Sequence, residues 1–128
     1  MNSILLVDDD KDFRESLKDL LEIKGYLIYE AKNGAEGLRV FSRESIDLVI
    51  SDLLMPEIDG LELLMGIRGT NSGTPIIVIS GGNRSNFDKS FEIAQELGAN
   101  IVLGKPVSAD VLFDSIDQLL ASSSKNKI

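Results

Sequence analysis

The sequence predicts a doubly wound α/β domain, in which five parallel strands form one sheet with helices on both faces. Five short apolar runs alternate with five amphipathic stretches along the 128 residues. The apolar runs show no polar alternation, which indicates strands that are buried on both faces. Strand and helix follow each other strictly, and right-handed crossovers then place helices on both sides of a parallel sheet.

The first two strand–helix units are bounded by turn residues. The first strand is predicted at Ile4–Val7, and the helix after it ends at Gly25, because glycine readily adopts the left-handed conformation that closes helices. We expect this helix to bury Phe13, Leu17, Leu20 and Leu21. The second strand is Leu27–Ala31, and an Asn33-Gly34 loop leads into a helix carrying Ala35, Leu38 and Phe41.

The third strand, Leu48–Ile50, ends at Ser51-Asp52 and is followed by the Met55-Pro56 break. Asp59 is expected to be the N-cap of the next helix, since its carboxylate can accept hydrogen bonds from free backbone N–H groups. The buried residues predicted for that helix are Leu61, Leu64 and Met65.

The fourth strand, Ile76–Ile79, ends in Ser80-Gly81-Gly82, and the helix after it is closed by Gly98. That helix carries Phe87, Phe91 and Ala94 on one face. The fifth strand, Ile101–Leu103, ends in Gly104-Lys105-Pro106, where Pro106 marks a turn with a trans or a cis bond. The final helix is expected to bury Leu112, Ile116, Leu119 and Leu120. One domain is thus predicted over residues 1–121, and 122–128 are expected to be a flexible tail or the start of a linker.

Composition excludes several classes of function. The net charge of −8 argues against direct binding to nucleic acid or to an anionic membrane surface. No apolar run approaches the ~20 residues of a membrane span, and the amino terminus resembles no secretory signal, so we expect a cytoplasmic protein. The chain contains no His and no Cys, which excludes a Ser-His-Asp triad and thiolate metal sites. Any metal must be held by oxygen ligands, which favours Mg²⁺, Mn²⁺ or Ca²⁺.

The chemistry is expected where the strands end, since parallel sheets bind ligands beyond the carboxyl ends of their strands. The first strand ends in Asp8 and Asp9, the third in Asp52, the fourth in Ser80 and the fifth in Lys105. The second strand ends without a carboxylate or a hydroxyl. In a sheet ordered 2-1-3-4-5 the second strand lies at the edge, and the four polar-ended strands are neighbours.

These five residues together suggest a phosphoryl-transfer site. Three carboxylates repel one another unless a cation lies among them, and a hard divalent ion fits their oxygen ligands. Lys105 cannot bind a metal but suits an anion beside it, and Ser80 can donate a hydrogen bond to that anion. Taken singly, Asp52 and Ser80 would be turn or cap residues, Lys105 would be solvated, and Asp8 and Asp9 would begin a helix. Chance does not place all five on four adjacent strands.

The pattern resembles the receiver domain of two-component response regulators over about residues 2–121. The matching segments are Ile4–Asp10, Asp47–Asp52, Asp52–Gly60, Pro75–Ser80, Gly98-Ala99 and Lys105-Pro106. The resemblance implies a flavodoxin-like (βα)5 fold with strand order 2-1-3-4-5, and Asp52 as the phosphoacceptor. It further implies that Asp8, Asp9, Asp52 and the backbone carbonyl of Leu54 hold Mg²⁺, with Mn²⁺ as the alternative ion. Ser80 would follow the phosphoryl group, and Lys105 would be its counter-ion.

The same resemblance implies a phosphohistidine donor on a sensor histidine kinase or a histidine phosphotransfer protein. The signal would pass to a downstream protein target or to an output domain fused in a longer chain, and dimerisation through the fourth or fifth helix is compatible with the sequence. The domain would catalyse only its own phosphorylation and dephosphorylation. Val102 and Val107 depart from the family, which often has an aromatic residue at the first position and Phe at the second, so the usual aromatic readout is not expected.

Three other functions use the same residues. A flavodoxin-like small-molecule binder would need a phosphate loop after the first strand, where three aspartates would repel a phosphate. A metal-dependent phosphohydrolase with Asp52 as transient nucleophile would need substrate loops, and no inserted segment is present. A receiver-like interaction module without turnover would not need the complete set of pocket residues.

Overall fold

The computed structural model describes residues 1–52, 59–70, 73–80 and 92–125. The strands are β1 Ser3–Val7, β2 Leu27–Ala31, β3 Leu48–Asp52, β4 Ile76–Ser80 and β5 Ile101–Gly104. The helices are α1 Lys11–Ile23, α2 Gly34–Arg43, α3 Asp59–Gly69, a helical segment α4 at 92–96, and α5 Ala109–Lys125. Within these ranges no helix is both long and apolar enough to cross a bilayer.

The five strands form one parallel sheet in the order β2-β1-β3-β4-β5, which confirms the predicted fold. β3 pairs with β1 on one side and with β4 on the other, so it lies at the centre. At the carboxyl edge, Asp52 is in register with Ile79, and Ser80 with Gly104. One edge of the sheet therefore carries the last residues of β1, β3 and β4, together with Lys105, which follows β5.

Both faces of the sheet are covered by an apolar core, as the unbroken apolar strands predict. One core packs α1 and α5 against the sheet through Leu17, Leu21, Leu112 and Ile116. The other packs the opposite face against α3 and α4 through Leu63, Leu64, Ile67 and Ala94, with Leu38 of α2 against it. Every residue of β1, β3 and β4 is buried. Asp52 and Ser80, which end β3 and β4, and Asp8, which follows β1, are therefore held in a rigid frame.

Caps and glycines set the helix ends. The side chain of Asp10 accepts hydrogen bonds from the N–H groups of Asp12 and Phe13 and begins α1, and Asn33 caps α2 in the same way. Gly25 and Gly98 have positive φ values of 93° and 108°, which confirms both as helix-closing residues. The Lys105–Pro106 peptide bond is cis.

Several expectations about burial were wrong. Leu20 is 42 % exposed, because α1 turns Leu17 and Leu21 toward the sheet and leaves Leu20 at its flank. Met65 is 51 % exposed, because α3 buries Leu63, Leu64 and Ile67 instead. Leu61, Leu119 and Leu120 are only partly buried.

α5 continues to Lys125, and no glycine or proline interrupts residues 122–125. The predictions for Met55-Pro56, Gly81-Gly82, Phe87 and Phe91 lie outside the described residues, as does the side chain of Asp59.

Candidate metal and phosphoryl site

The carboxyl ends of β1 and β3 bring three acidic side chains together. One carboxylate oxygen from each of Asp8, Asp9 and Asp52 lies within 4.8 Å of the others. Asp8 and Asp52 are buried, with 1 % and 5 % exposure, whereas Asp9 is exposed. Burial raises the pKa of Asp8 above its ordinary value; the hydrogen bond from Asp10 N–H and the charge of Lys105 oppose this rise, and Asp9 adds to it. Two buried carboxylates and one exposed carboxylate thus line a partly open pocket and point to a metal site with oxygen ligands.

Lys105 closes the other side of this pocket. Its Nζ lies 3.2 Å from Oδ2 of Asp52 and 3.6 Å from Oδ2 of Asp8. The backbone explains the position, because Lys105 N–H donates to the carbonyl of Ser80 directly beyond β5. Burial lowers the pKa of Lys105, but the charges of Asp52 and Asp8 raise it more, so its pKa lies above the ordinary value. Lys105 is therefore a fixed cation at neutral pH.

Ser80 ends β4 between these groups in the sheet order. It is 1 % exposed, and its Oγ has no hydrogen-bond partner among the residues that the structure describes. Buried hydroxyls are almost always paired, because an unpaired one loses its hydrogen bonds to water without replacement. An unpaired donor at the carboxyl edge of the sheet is therefore available to an oxygen-rich ligand.

Three neighbours of the pocket were not identified from the sequence as site residues. Asp10 N–H donates to Oδ1 of Asp8 at 2.9 Å, and Arg14 Nη1 donates to the Asp8 carbonyl at 2.6 Å. The ring of Phe13 lies under Lys105, with Nζ 4.4 Å from the ring centroid. Phe13 was interpreted only as a core residue because it fits the apolar periodicity of α1. The sequence could have indicated Arg14 and Phe13 as neighbours of the site, because both lie in the first turn of the helix that follows Asp8 and Asp9.

The donor set fits a hard divalent cation. All three candidate side-chain ligands are carboxylates, which Mg²⁺ and Mn²⁺ prefer, and Asp9 keeps one side of the pocket open. Leu54, the candidate carbonyl ligand, lies outside the described residues. Val102, at the position where an aromatic residue is usual, is buried in the core with 7 % exposure.

Comparison with known proteins agrees with this geometry. The family model for the response regulator receiver domain matches residues 4–117. The chain is 40 % identical over 120 residues to the transcriptional regulatory protein GlrR of Escherichia coli K12, covering 94 % of this chain and 26 % of GlrR. It is 37 % identical over 123 residues to the transcriptional regulatory protein CpxR of the same organism, covering 96 % of this chain and 51 % of CpxR. The chain thus spans about a quarter of the length of GlrR and about half of the length of CpxR.

Solved structures show the same similarity over nearly the whole chain. A response regulator receiver domain protein from Clostridium thermocellum superposes with a TM-score of 0.88 at 32 % identity, covering 97 % of this chain and 98 % of that one. A CheY-like receiver domain protein from Methanospirillum hungatei JF-1 superposes with a TM-score of 0.90 at 28 % identity, covering 98 % of both. From its fold, its sequence and the residues at its strand ends, the chain belongs to the response regulator receiver domains of two-component systems.

Proposed function

We propose that Asp52 is the residue that accepts the phosphoryl group in this receiver domain. The observation that carries the proposal is the convergence of Asp8, Asp9 and Asp52 within 4.8 Å, with Lys105 at 3.2 Å from the Asp52 carboxylate. Asp52 ends the central strand, so its carboxylate is fixed by the sheet and does not have to be ordered by the incoming group. Lys105 beside it can offset the charge of an attached phosphate.

Asp8, Asp9, Asp52 and the backbone carbonyl of Leu54 are proposed to hold Mg²⁺, with Mn²⁺ as the alternative. The support is the chemistry of the donors, since three crowded carboxylates are stabilised by a dication. When bound, such an ion supplies positive charge that orients the phosphoryl oxygens and offsets their charge. Asp9, as the exposed member, keeps the pocket accessible from solvent.

The proposed reaction uses one carboxylate oxygen of Asp52 as the nucleophile. This oxygen attacks phosphorus in line, a new O–P bond forms, and the P–N bond to the donor imidazole breaks, with its electron pair passing to that nitrogen. The product is an acyl phosphate on Asp52. Water later attacks the same phosphorus, the O–P bond to Asp52 breaks, and inorganic phosphate leaves. The domain then returns to its starting state without having acted on an outside substrate.

Ser80 is proposed to report the modification. Its buried Oγ, which has no partner among residues 1–52, 59–70, 73–80 and 92–125, can donate to a phosphoryl oxygen on Asp52, and this bond removes the cost of an unpaired hydroxyl. The phosphorylated domain would then favour a different position of the chain after β4 and of the helix at about residues 86–97. Of that segment, residues 86–91 lie outside the described residues.

The proposed donor is a phosphohistidine on a sensor histidine kinase or a histidine phosphotransfer protein. A chain with no His cannot supply the donor itself. The proposed recipient of the signal is a downstream protein or an output domain. GlrR and CpxR are both transcriptional regulatory proteins longer than this chain, which supports the output-domain alternative.

Intact-mass analysis after incubation with acetyl phosphate and Mg²⁺ tests the proposal. We expect one added phosphoryl group on the wild-type chain and none on D52N, whose amide is a poor nucleophile. The D110N variant, changed at an exposed aspartate of α5, is the matched control and should be phosphorylated like the wild type. An unmodified wild-type chain that also binds no Mg²⁺ would refute the mechanism.

A phosphate-release assay distinguishes the proposed function from a phosphohydrolase and from an interaction module without turnover. A phosphohydrolase would turn over a phosphomonoester many times per chain, and a module without turnover would gain no phosphoryl group from acetyl phosphate. The proposed function predicts single modification of Asp52, followed by slow release of one phosphate per modified chain.

A further inference from the structure

We propose that Phe13 is a positioning residue for Lys105, holding its ammonium group beside the phosphoryl acceptor through the face of the ring. The inference rests on the proposed function of the pocket and adds a residue to it. Lys105 contacts the ring of Phe13, which is neither a candidate metal ligand nor a hydrogen-bonding group.

The ammonium group of Lys105 is attracted by two carboxylates and by an aromatic ring. Its Nζ lies 3.2 Å from Oδ2 of Asp52, 3.6 Å from Oδ2 of Asp8 and 4.4 Å from the Phe13 ring centroid. The negative face of an aromatic ring attracts a cation within about 6 Å of its centroid. Since the Lys105 side chain is only 26 % exposed, little water competes for it.

The Phe13 ring is itself well anchored. Phe13 N–H donates to the Asp10 side chain that caps α1, so the residue belongs to the first turn of a helix that begins at the pocket. The ring packs against the core between α1 and α5 and lines a cleft there with Leu17, Val107 and Phe113. The aromatic face is therefore presented to Lys105 by a rigid element, while the lysine stem is flexible.

This contact matters most when a dication is bound among the carboxylates. Added positive charge there weakens the hold of Asp8 and Asp52 on the ammonium group. The ring is neutral, so its attraction does not depend on whether the carboxylates are already paired. Without Phe13, the four-carbon stem of Lys105 would spend more time away from Asp52. The rate of phosphoryl transfer at saturating Mg²⁺ should therefore depend on the electron density of the Phe13 ring.

The test replaces Phe13 by phenylalanines with one, two and three ring fluorines, which weaken the negative face while keeping the shape. At saturating Mg²⁺ and fixed acetyl phosphate, intact mass gives the rate of acyl-phosphate formation. We expect a stepwise fall that reaches roughly five-fold for the trifluoro ring, and a normal rate for F13Y, which retains a π-face. The same fluorinated series at Phe113 is the matched control, because that ring lines the same cleft but lies under Lys24, at 4.8 Å, and not under Lys105. Rates at position 113 should not change.

A second measurement is independent of phosphorylation. In the metal-free protein, the ε-methylene protons of Lys105 should resonate upfield through the ring current of Phe13, keep this shift in F13Y and lose it in F13L. A flat rate across the fluorinated series at position 13, or unshifted Lys105 protons in the wild type, would overturn the inference. If the wild-type chain accepted no phosphoryl group, the proposed function would fail, whereas the methylene shift would still test the ring contact by itself.

Discussion

Asp8 is a buried carboxylate at the residue that follows β1, and its charge is costly to the fold. Its pKa is raised mainly by burial, so folding favours the protonated form. A raised acid pKa lowers stability above the folded value, and this penalty disappears as the pH falls below the unfolded value of 3.8. The ionised form of Asp8 is thus a cost to folding, and it is the form that the proposed metal site requires.

The D8N variant should therefore be more stable than the wild type at pH 7, by on the order of 1 kcal/mol. Its amide oxygen can still accept from Asp10 N–H, so the local turn is kept. Urea unfolding followed by circular dichroism at pH 7 and at pH 4 measures the effect, and the advantage should shrink at pH 4, where the wild-type carboxyl gains its proton. A D8N chain less stable than the wild type at pH 7 would contradict the assignment of burial as the dominant cause.

Ser80 leads to a second prediction for a single side chain. Its hydroxyl has no partner within the described part of the chain, so S80A should leave the unfolding free energy unchanged or raise it by up to about 1 kcal/mol. The matched control is S51A, a buried serine at the end of the neighbouring strand β3 whose Oγ donates to the Asp52 carbonyl at 3.0 Å. Losing that bond should cost about 1 kcal/mol. Equal destabilisation of both variants would show that Ser80 has a partner in the folded state.

At the scale of elements, Arg68 ties the end of α3 to the chain before β5. Its guanidinium donates to the carbonyl of Gly98 at 2.7 and 3.0 Å, to the carbonyl of Thr74 at 2.8 Å and to Oδ1 of Asn100 at 2.9 Å. Asn100 Oδ1 also accepts from Ile76 N–H at the start of β4. One side chain therefore fixes the amino ends of β4 and β5 relative to α3. The carboxyl ends of those strands carry Ser80 and Lys105.

The contribution of the Arg68 contact to stability can be measured by comparing alanine substitutions at Gly98 and Gly25. Both have positive φ, so alanine at either position costs about 1 kcal/mol in backbone strain. A Cβ at Gly98 would lie 2.8 Å from Arg68 Nε, whereas a Cβ at Gly25 meets nothing within 4 Å. We expect G98A to destabilise the domain by about 1–3 kcal/mol more than G25A, as urea unfolding of the two variants would show. Equal losses would mean that the Arg68 contact adds nothing to stability.

The strands and the pocket could be predicted from the sequence because each depends on local pattern. The apolar runs fix β1 to β5, and one polar residue after a run is enough to place Asp52 or Lys105 at the carboxyl edge. Contacts between distant positions left no such local signal. The bond from Arg68 to Gly98 joins residues 30 positions apart, and the ring of Phe13 in α1 meets Lys105, which follows the last strand of the sheet. Periodicity also could not tell the flank of a helix from its buried stripe, which is why Leu20 and Met65 were misplaced.

For the whole molecule, the proposed dication links the pocket to global stability. A ligand that binds only the folded state raises the unfolding free energy by an amount set by its concentration relative to Kd. At 100 times Kd, Mg²⁺ should add about 2.7 kcal/mol to the wild type, measured by urea unfolding against KCl of equal ionic strength. D9N should lose most of this gain while unfolding like the wild type without Mg²⁺, because Asp9 is exposed. An unchanged midpoint in Mg²⁺ for the wild type would speak against the metal site.

The parallel sheet also separates the two ends of the molecule, since the carboxyl ends of all its strands lie at one edge and the amino ends at the other. Gly73, three residues before β4, is exposed at the amino edge, and a Cβ built there meets nothing within 4 Å. The chain has no native cysteine, so G73C would provide a unique thiol for a fluorophore or for attachment to a sensor chip. Molecules attached through residue 73 would expose the carboxyl edge of the sheet to the solution. Phosphorylation and dephosphorylation of the immobilised chain could then be measured.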